Sequence, residues 1–281
     1  MKLLRYGNTG AERPAVLDAK GQMRDLSGVV QDFDAAALSA AGLAKLAAVD
    51  TSSLPLVQGQ HRIGPCVPRP LNFICIGLNY ADHAAESNMP VPKEPVVFLK
   101  SLGAFCGPND DVRIPRGSRK TDWEVELGVV IGSRAAYVPE HEAMNHVAGY
   151  CVINDVSERE YQLERGGTWD KGKGCDTFGP VGPWLVTRDE IPDPQNLAMW
   201  LDVDGQAMQR GNTRTMVFDV RKLVSYVSHF ITLHPGDLIS TGTPPGVGSG
   251  KKPEPIFLRA GQTMRLGIEG LGDQQQRTVT A

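Results

Sequence analysis

Glu124 and Glu126 in TDWEVELGVVIG, and Asp155 in GYCVINDVSERE, are carboxylates set into two of the most strand-like stretches of the chain. Burying an ionised carboxylate is costly unless it is paired or bound to a metal, so these positions call for a chemical reason. Trp123, Val125, Leu127 and Val129 alternate with Glu124, Glu126 and Gly128. With a side-chain period of two, both glutamates fall on one face and the apolar residues on the other. Asp155 ends the apolar run Tyr150-Cys-Val-Ile-Asn, where a strand tip would present its carboxylate beside them. Three carboxylates with no imidazole or thiolate at matching spacing suit a hard cation, Mg²⁺ or Mn²⁺, better than zinc. Spacing alone leaves a solvent-facing polar strand edge as an equal alternative.

Further chemistry-bearing groups flank these carboxylates. In GLNYADHAAE, Asp82 is placed as an N-cap, which makes His83 and Glu86 i and i+3 neighbours on one helical face. A carboxylate beside an imidazole orients it and raises its basicity, as a general base requires, although such a pair is also a common surface ion pair. Arg159 and Gln162 follow Asp155 at i+4 and i+7, so a helical continuation would aim both at the carboxylates. A guanidinium and an amide there suit an anionic, oxygen-rich substrate; the alternative is a solvated charged turn. Lys173 stands between glycines in DKGKGCDTFGP, which places an ammonium in a loop suited to a carboxylate or a developing enolate, or else simply a flexible basic turn. STGTPPGVGSG is glycine-rich, yet it lacks the spacing of a phosphate-binding loop, which excludes that mode of nucleotide binding. His61, His141, His146, His229 and His234 lack ligand spacing and are read as structural or solvated.

The elements that must position these groups are mostly strands. From Asn72 onward, short apolar runs alternate with Gly/Pro turns: 73–77, 96–100, 125–131, 149–154, 184–187, 199–203, 237–240 and 264–268. Helices are expected at 219–230 and as a short turn at 82–86. So few crossover helices argue against a doubly wound sheet. Residues 1–65 differ in texture, with strand candidates at 1–6 and 15–18 and one or two short capped helices within 34–49. The division is therefore a small N-terminal α+β domain, 1–65, and a β-rich catalytic domain, 66–281.

Across the 281 residues, a hydrophobic share of 41% and a charged share of 22% describe a globular protein. A net charge of −3 argues against nucleic acid or an anionic membrane as the main partner. Five cysteines without a CxxC pair fit a reducing compartment. With no apolar run near the roughly 20 residues of a membrane span, a soluble cytoplasmic protein is expected.

In this order, GLNYADHAAE, the E-x-E of WEVELGVVIG, NDVSEREYQ, KGKGCDTFGPVGPW and GDLISTGTPPGVG resemble the fumarylacetoacetate hydrolase family from about residue 70 to the C-terminus. The likeness is strongest to its 2,4-diketo-3-deoxy-L-rhamnonate and L-fuconate hydrolases, which are acylpyruvases. The resemblance implies a mixed β-roll scaffold, a homodimer, and Mg²⁺ or Mn²⁺ held by Glu124, Glu126 and Asp155. It implies catalytic roles for His83, Glu86 and Lys173, and substrate contacts from Arg159, Gln162 and Thr243. The expected substrate is a small oxo-acid, cleaved between C3 and C4 to pyruvate and a carboxylic acid. An oxaloacetate-type decarboxylase, an isomerase or lyase of related oxo-acids (ureidoglycolate lyase-like members included) and a non-catalytic binding protein are the rival readings.

Overall fold

The apolar, β-branched runs form the middle of a ten-stranded mixed sheet in a computed structural model that describes residues 1–86 and 90–281, without the side chains of residues 83–85. In spatial order the sheet runs Met23–Asp25, Arg13–Leu17, Lys2–Tyr6, Gly179–Thr187, Val147–Asn154, Val125–Ile131, Leu238–Ser240, Phe73–Gly77 and Val96–Leu99. Phe105–Cys106 joins it beside Gly179–Thr187. Val125–Ile131 and Val147–Asn154 pair antiparallel, with Ile153 opposite Glu126 and Asn154 opposite Val125. This register brings Asp155 beside the glutamates, and its N–H donates to the Glu124 carbonyl at 2.9 Å.

Both central strands are buried along their whole length, which requires cover on both faces. On one face Val125, Leu127 and Val129 pack with Leu201 and Leu266 of a second sheet and with Leu223, Val224 and Val227 of helix Val220–Ser228. On the other, Val130, Cys151 and Ile153 pack with Leu3, Val16, Phe33 and Leu38 from the leading segment. Residues 1–65 also extend the main sheet, because Lys2–Tyr6 pairs with Gly179–Thr187. Helices Ala35–Leu38 and Ala40–Ala47 in that segment start on Asp34 and Ser39, whose side chains accept from the Ala37 and Gly42 N–H groups.

The second sheet orders Gln206–Asn212, Ala198–Val203, Thr263–Ile268, Gly272–Thr280 and Val112–Ile114. Its Gly272–Thr280 strand escapes the hydrophobic pattern because Gln274, Gln276 and Thr278 supply its buried side. Gln274 Nε2 donates to the Val152 and Gly182 carbonyls at 2.7 and 2.8 Å, so the amide satisfies backbone groups within the core.

Two expectations near the carboxylates need correction. The chain does not continue as a helix from Asp155: Ser157–Glu158 first pairs with Thr121–Asp122, and the helix covers only Arg159–Leu163. The Arg159 N–H goes to the Lys120 carbonyl at 3.0 Å instead of back to residue 155. Lys173 lies at the end of a short helix, Asp170–Lys173, and not in a loop. Gly172 permits this packing, since a Cβ there would stand 2.4 Å from the Glu158 carbonyl oxygen and 2.6 Å from Gln162 Cβ. Among the described residues, no helix is long and apolar enough to cross a membrane.

Candidate active site

Glu124, Glu126 and Asp155 offer oxygens that lie within 4.8 Å of one another, and the three residues are only 5%, 2% and 1% exposed. Ser240 Oγ and the Gly242 N–H donate to Glu126 Oε2 at 2.6 and 2.9 Å. Asp155 Oδ1 is buried and accepts no hydrogen bond among the described residues. Lys100 Nζ stands 2.5 Å from that oxygen as an ion pair without the geometry of a hydrogen bond. Burial, then the charges of Asp155 and Glu124, push the Glu126 carboxyl well above the usual carboxylate range. A converging, all-oxygen set of donors with an unsaturated buried oxygen and excess negative charge fits a hard divalent cation.

Four further charges frame these acids. Lys173 Nζ donates to Glu124 Oε2 and Asp155 Oδ2, both at 2.6 Å. Burial works to deprotonate it, but Asp155 and Glu124 outweigh burial and hold its pKa above the ordinary lysine value. Lys173 thus stands as an ammonium donor between the two acids. Arg159 reaches Glu124 Oε1 at 2.7 Å, Gln162 Oε1 at 3.0 Å and Asp122 Oδ2 at 2.8 Å. Asp122 also accepts from the N–H groups of Gly248 and Ser249 at 2.7 and 3.0 Å, so it joins Arg159 to the glycine-rich loop. Lys100 donates to the Val156 and Lys173 carbonyls at 3.1 and 2.6 Å. Sequence reasoning passes over both Lys100 and Asp122. The signal for Lys100 was a lysine ending the apolar run VVFL, and for Asp122 an acid two residues before Glu124.

The three acids, Lys173 and Arg159 open onto a cavity of about 320 Å³, with Lys100 and Asp122 behind its lining. Of the residues expected at the site, Glu86, Glu124, Glu126, Asp155, Arg159, Gln162, Lys173 and Thr243 all line it. His83 is on helix Ala81–Glu86, but its side chain lies outside the described residues. Glu86 accepts the Gly246 N–H at 3.1 and 3.0 Å through its two oxygens, which ties that helix to the glycine-rich loop. The Thr243 hydroxyl donates to the Val125 carbonyl at 2.9 Å and accepts from Gln209 Nε2 at 2.8 Å, so much of its bonding capacity holds the loop to the strand. Phe98 and Trp169 form an apolar wall, their rings edge to face with centroids 5.3 Å apart. Trp169 stands on Gly77, where any Cβ would come within 2.2 Å of the indole. Beside it Leu78 takes a left-handed backbone, φ 54°, uncommon for a residue with a side chain and here found at the cavity wall.

Residues 72–279 match the family model for the fumarylacetoacetate (FAA) hydrolase C-terminal region. A Burkholderia cenocepacia protein named only for hydrolase activity is 66% identical over 281 residues, which is 100% of both chains. A 2-hydroxyhepta-2,4-diene-1,7-dioate isomerase from Mycobacterium marinum is 32% identical, with TM-score 0.74 over 100% of this chain and 98% of its own. Maleylpyruvate hydrolase from Sphingobium sp. SYK-6, solved with manganese(II) and pyruvate, is 28% identical with TM-score 0.82, covering 100% of both chains.

Proposed function

The chain belongs to the fumarylacetoacetate hydrolase family, and on that premise we propose that it hydrolyses the C3–C4 bond of a 2,4-diketo acid, releasing pyruvate and a carboxylic acid. The observation that carries this reading is the meeting of a buried three-carboxylate centre with a protonated Lys173 at the floor of one cavity. Glu124, Glu126 and Asp155 would hold Mg²⁺ or Mn²⁺. A dication there supplies a Lewis acid for the 2-oxo acid head and offsets negative charge on the departing enolate.

The protein's own groups account for the remaining steps. Arg159 and Gln162 sit where they can bind substrate oxygens; Gln162 Oε1 is taken by Arg159, which leaves its N–H groups for a ligand. His83, backed by Glu86, removes a proton from the water that attacks C4. The C3–C4 bonding pair then passes to C3, the new C–O bond completes the acid product, and the pyruvate enolate takes up at C3 the proton that His83 removed from the water. Lys173, kept as an ammonium, donates toward the oxyanion as it forms. Diketo acids derived from L-rhamnonate and L-fuconate fall in this substrate class. The likeness to an isomerase favours a second reading, rearrangement of an oxo-diacid at the same centre without C–C cleavage.

The deciding test is pyruvate release from acylpyruvates, followed in a coupled assay with EDTA and then with Mg²⁺ or Mn²⁺ restored. Metal-dependent release supports the hydrolase, and rearrangement without pyruvate supports the isomerase. His83→Ala is expected to lower turnover by roughly 10²–10⁴-fold, the usual contribution of a positioned base, while Mn²⁺ still binds. Near-normal turnover in that variant would place the base elsewhere.

A further inference from the structure

Asp155 has an ammonium at each carboxylate oxygen. Lys173 Nζ donates to Oδ2 at 2.6 Å and lines the cavity. Lys100 Nζ stands 2.5 Å from Oδ1 behind that lining, with its side chain 0% exposed. The Lys100 N–H donates to the Phe73 carbonyl at 2.9 Å, which keeps the residue in line with the main sheet. Lysine is almost never buried this deeply unless a partner compensates its charge, and Asp155 is that partner.

Backbone takes the rest of the ammonium. Nζ donates to the Val156 and Lys173 carbonyls at 3.1 and 2.6 Å. Any influence of Lys100 on the cavity therefore runs through Asp155 and through the chain that carries Lys173. Asp155 does not rely on Lys100 for its place, because its N–H donates to the Glu124 carbonyl at 2.9 Å and Lys173 holds Oδ2. What Lys100 adds is charge. A carboxylate shared with a fixed ammonium in buried surroundings has less negative potential left for a dication. An outer partner of a metal ligand ordinarily strengthens binding by orienting the ligand; a cation in that place works the other way.

We propose that Lys100, acting through Asp155, loosens the hold of the three acids on their dication, so that the centre exchanges its metal and does not keep it as a permanent part of the fold. The inference rests on the metal-centre reading of Glu124, Glu126 and Asp155 and adds to it the group that sets affinity. Lys100 is on this account a positioning residue, since it stands behind the cavity lining and acts through another side chain.

Calorimetric titration of the chelator-treated full chain with Mn²⁺ would compare the wild type with Lys100→Met, which removes the charge at similar length. The variant is expected to bind Mn²⁺ about 10–100-fold more tightly, the usual scale of an outer partner with its sign reversed. It should also unfold at a lower urea concentration, because the Val156 and Lys173 carbonyls lose their donor. Tighter binding by a less stable protein is an outcome that structural damage alone does not give. Release of Mn²⁺ into EDTA should slow in step with the gained affinity. Where Lys100→Met fails to fold, Lys100→Gln, which keeps amide donors for the carbonyls, carries the same expectation. Equal or weaker Mn²⁺ binding in the neutral variants, or the same gain in the charge-keeping Lys100→Arg, would overturn the proposal. The underlying readings fail in their own ways. Mn²⁺ bound by none of these proteins removes the metal centre and this inference together, whereas a gain in affinity without pyruvate release from any acylpyruvate removes the reaction and keeps the role of Lys100.

Discussion

The Asp122 carboxylate holds the Arg159 guanidinium at 2.8 Å, and neither side chain is more than 9% exposed. Removing one member of a buried pair strands the other, which typically costs about 3–5 kcal/mol. Asp122→Asn keeps the shape but turns amide hydrogens toward Arg159 Nε or the loop N–H groups. We expect a loss of stability of that order by urea unfolding, together with a rise in KM as Arg159 and the loop lose their common anchor. An unchanged unfolding midpoint would show that Glu124 alone suffices to hold Arg159.

Lys173→Met removes the ammonium shared by Glu124 and Asp155 at nearly constant volume. Without metal, the two carboxylates are then left facing each other, and the metal-free protein should lose roughly 3 kcal/mol. Mn²⁺ should therefore raise the melting temperature of this variant more than that of the wild type. Turnover should remain low even when metal is saturating. Equal metal-induced shifts in the two proteins would argue that Lys173 does not screen the acids.

Glu126→Gln separates metal affinity from folding. Loss of one charge from a centre built for a dication should weaken Mn²⁺ binding by at least about 100-fold, read by calorimetry or electron paramagnetic resonance. The metal-free variant should be no less stable than the wild type at neutral pH, because burial and the neighbouring acids already disfavour the Glu126 anion. Retention of tight Mn²⁺ binding would exclude Glu126 as a ligand.

Thiol chemistry offers a pH-dependent check on packing. Burial pushes the Cys175 thiol up from 9.0 to about 11, while Cys66, Cys75, Cys106 and Cys151 are buried. At pH 8 a shift of that size leaves roughly 100-fold less thiolate, so labelling of native Cys175 by a disulfide reagent should be slow and should accelerate toward pH 11. The four buried thiols should react far more slowly than on unfolding. Rapid labelling of any thiol at pH 8 would contradict this packing.

The acidic centre was legible in the sequence because a period of two inside apolar strands leaves few places for Glu124 and Glu126 to go. Asp155 was legible as the polar end of an equally apolar run. Lys100 and Asp122 were not, since a charged residue at a strand end ordinarily reads as a solvent flank. Their burial follows from partners remote in sequence: Lys100 meets Asp155, and Asp122 meets Arg159 and Gly248. The Gly272–Thr280 strand was hidden for a related reason. Its inward residues are amides and a hydroxyl that complete hydrogen bonds, and hydropathy carries no trace of that arrangement.

The seat of Trp169 on the bare backbone of Gly77 has an optical consequence. The chain has four tryptophans, and among the described residues lining the cavity the indole is that of Trp169. Its surroundings change when the cavity fills, whereas Trp123 is sealed within the core. The protein therefore carries an intrinsic fluorophore against its own binding space, and ligand arrival can be followed through its emission with no dye or label attached.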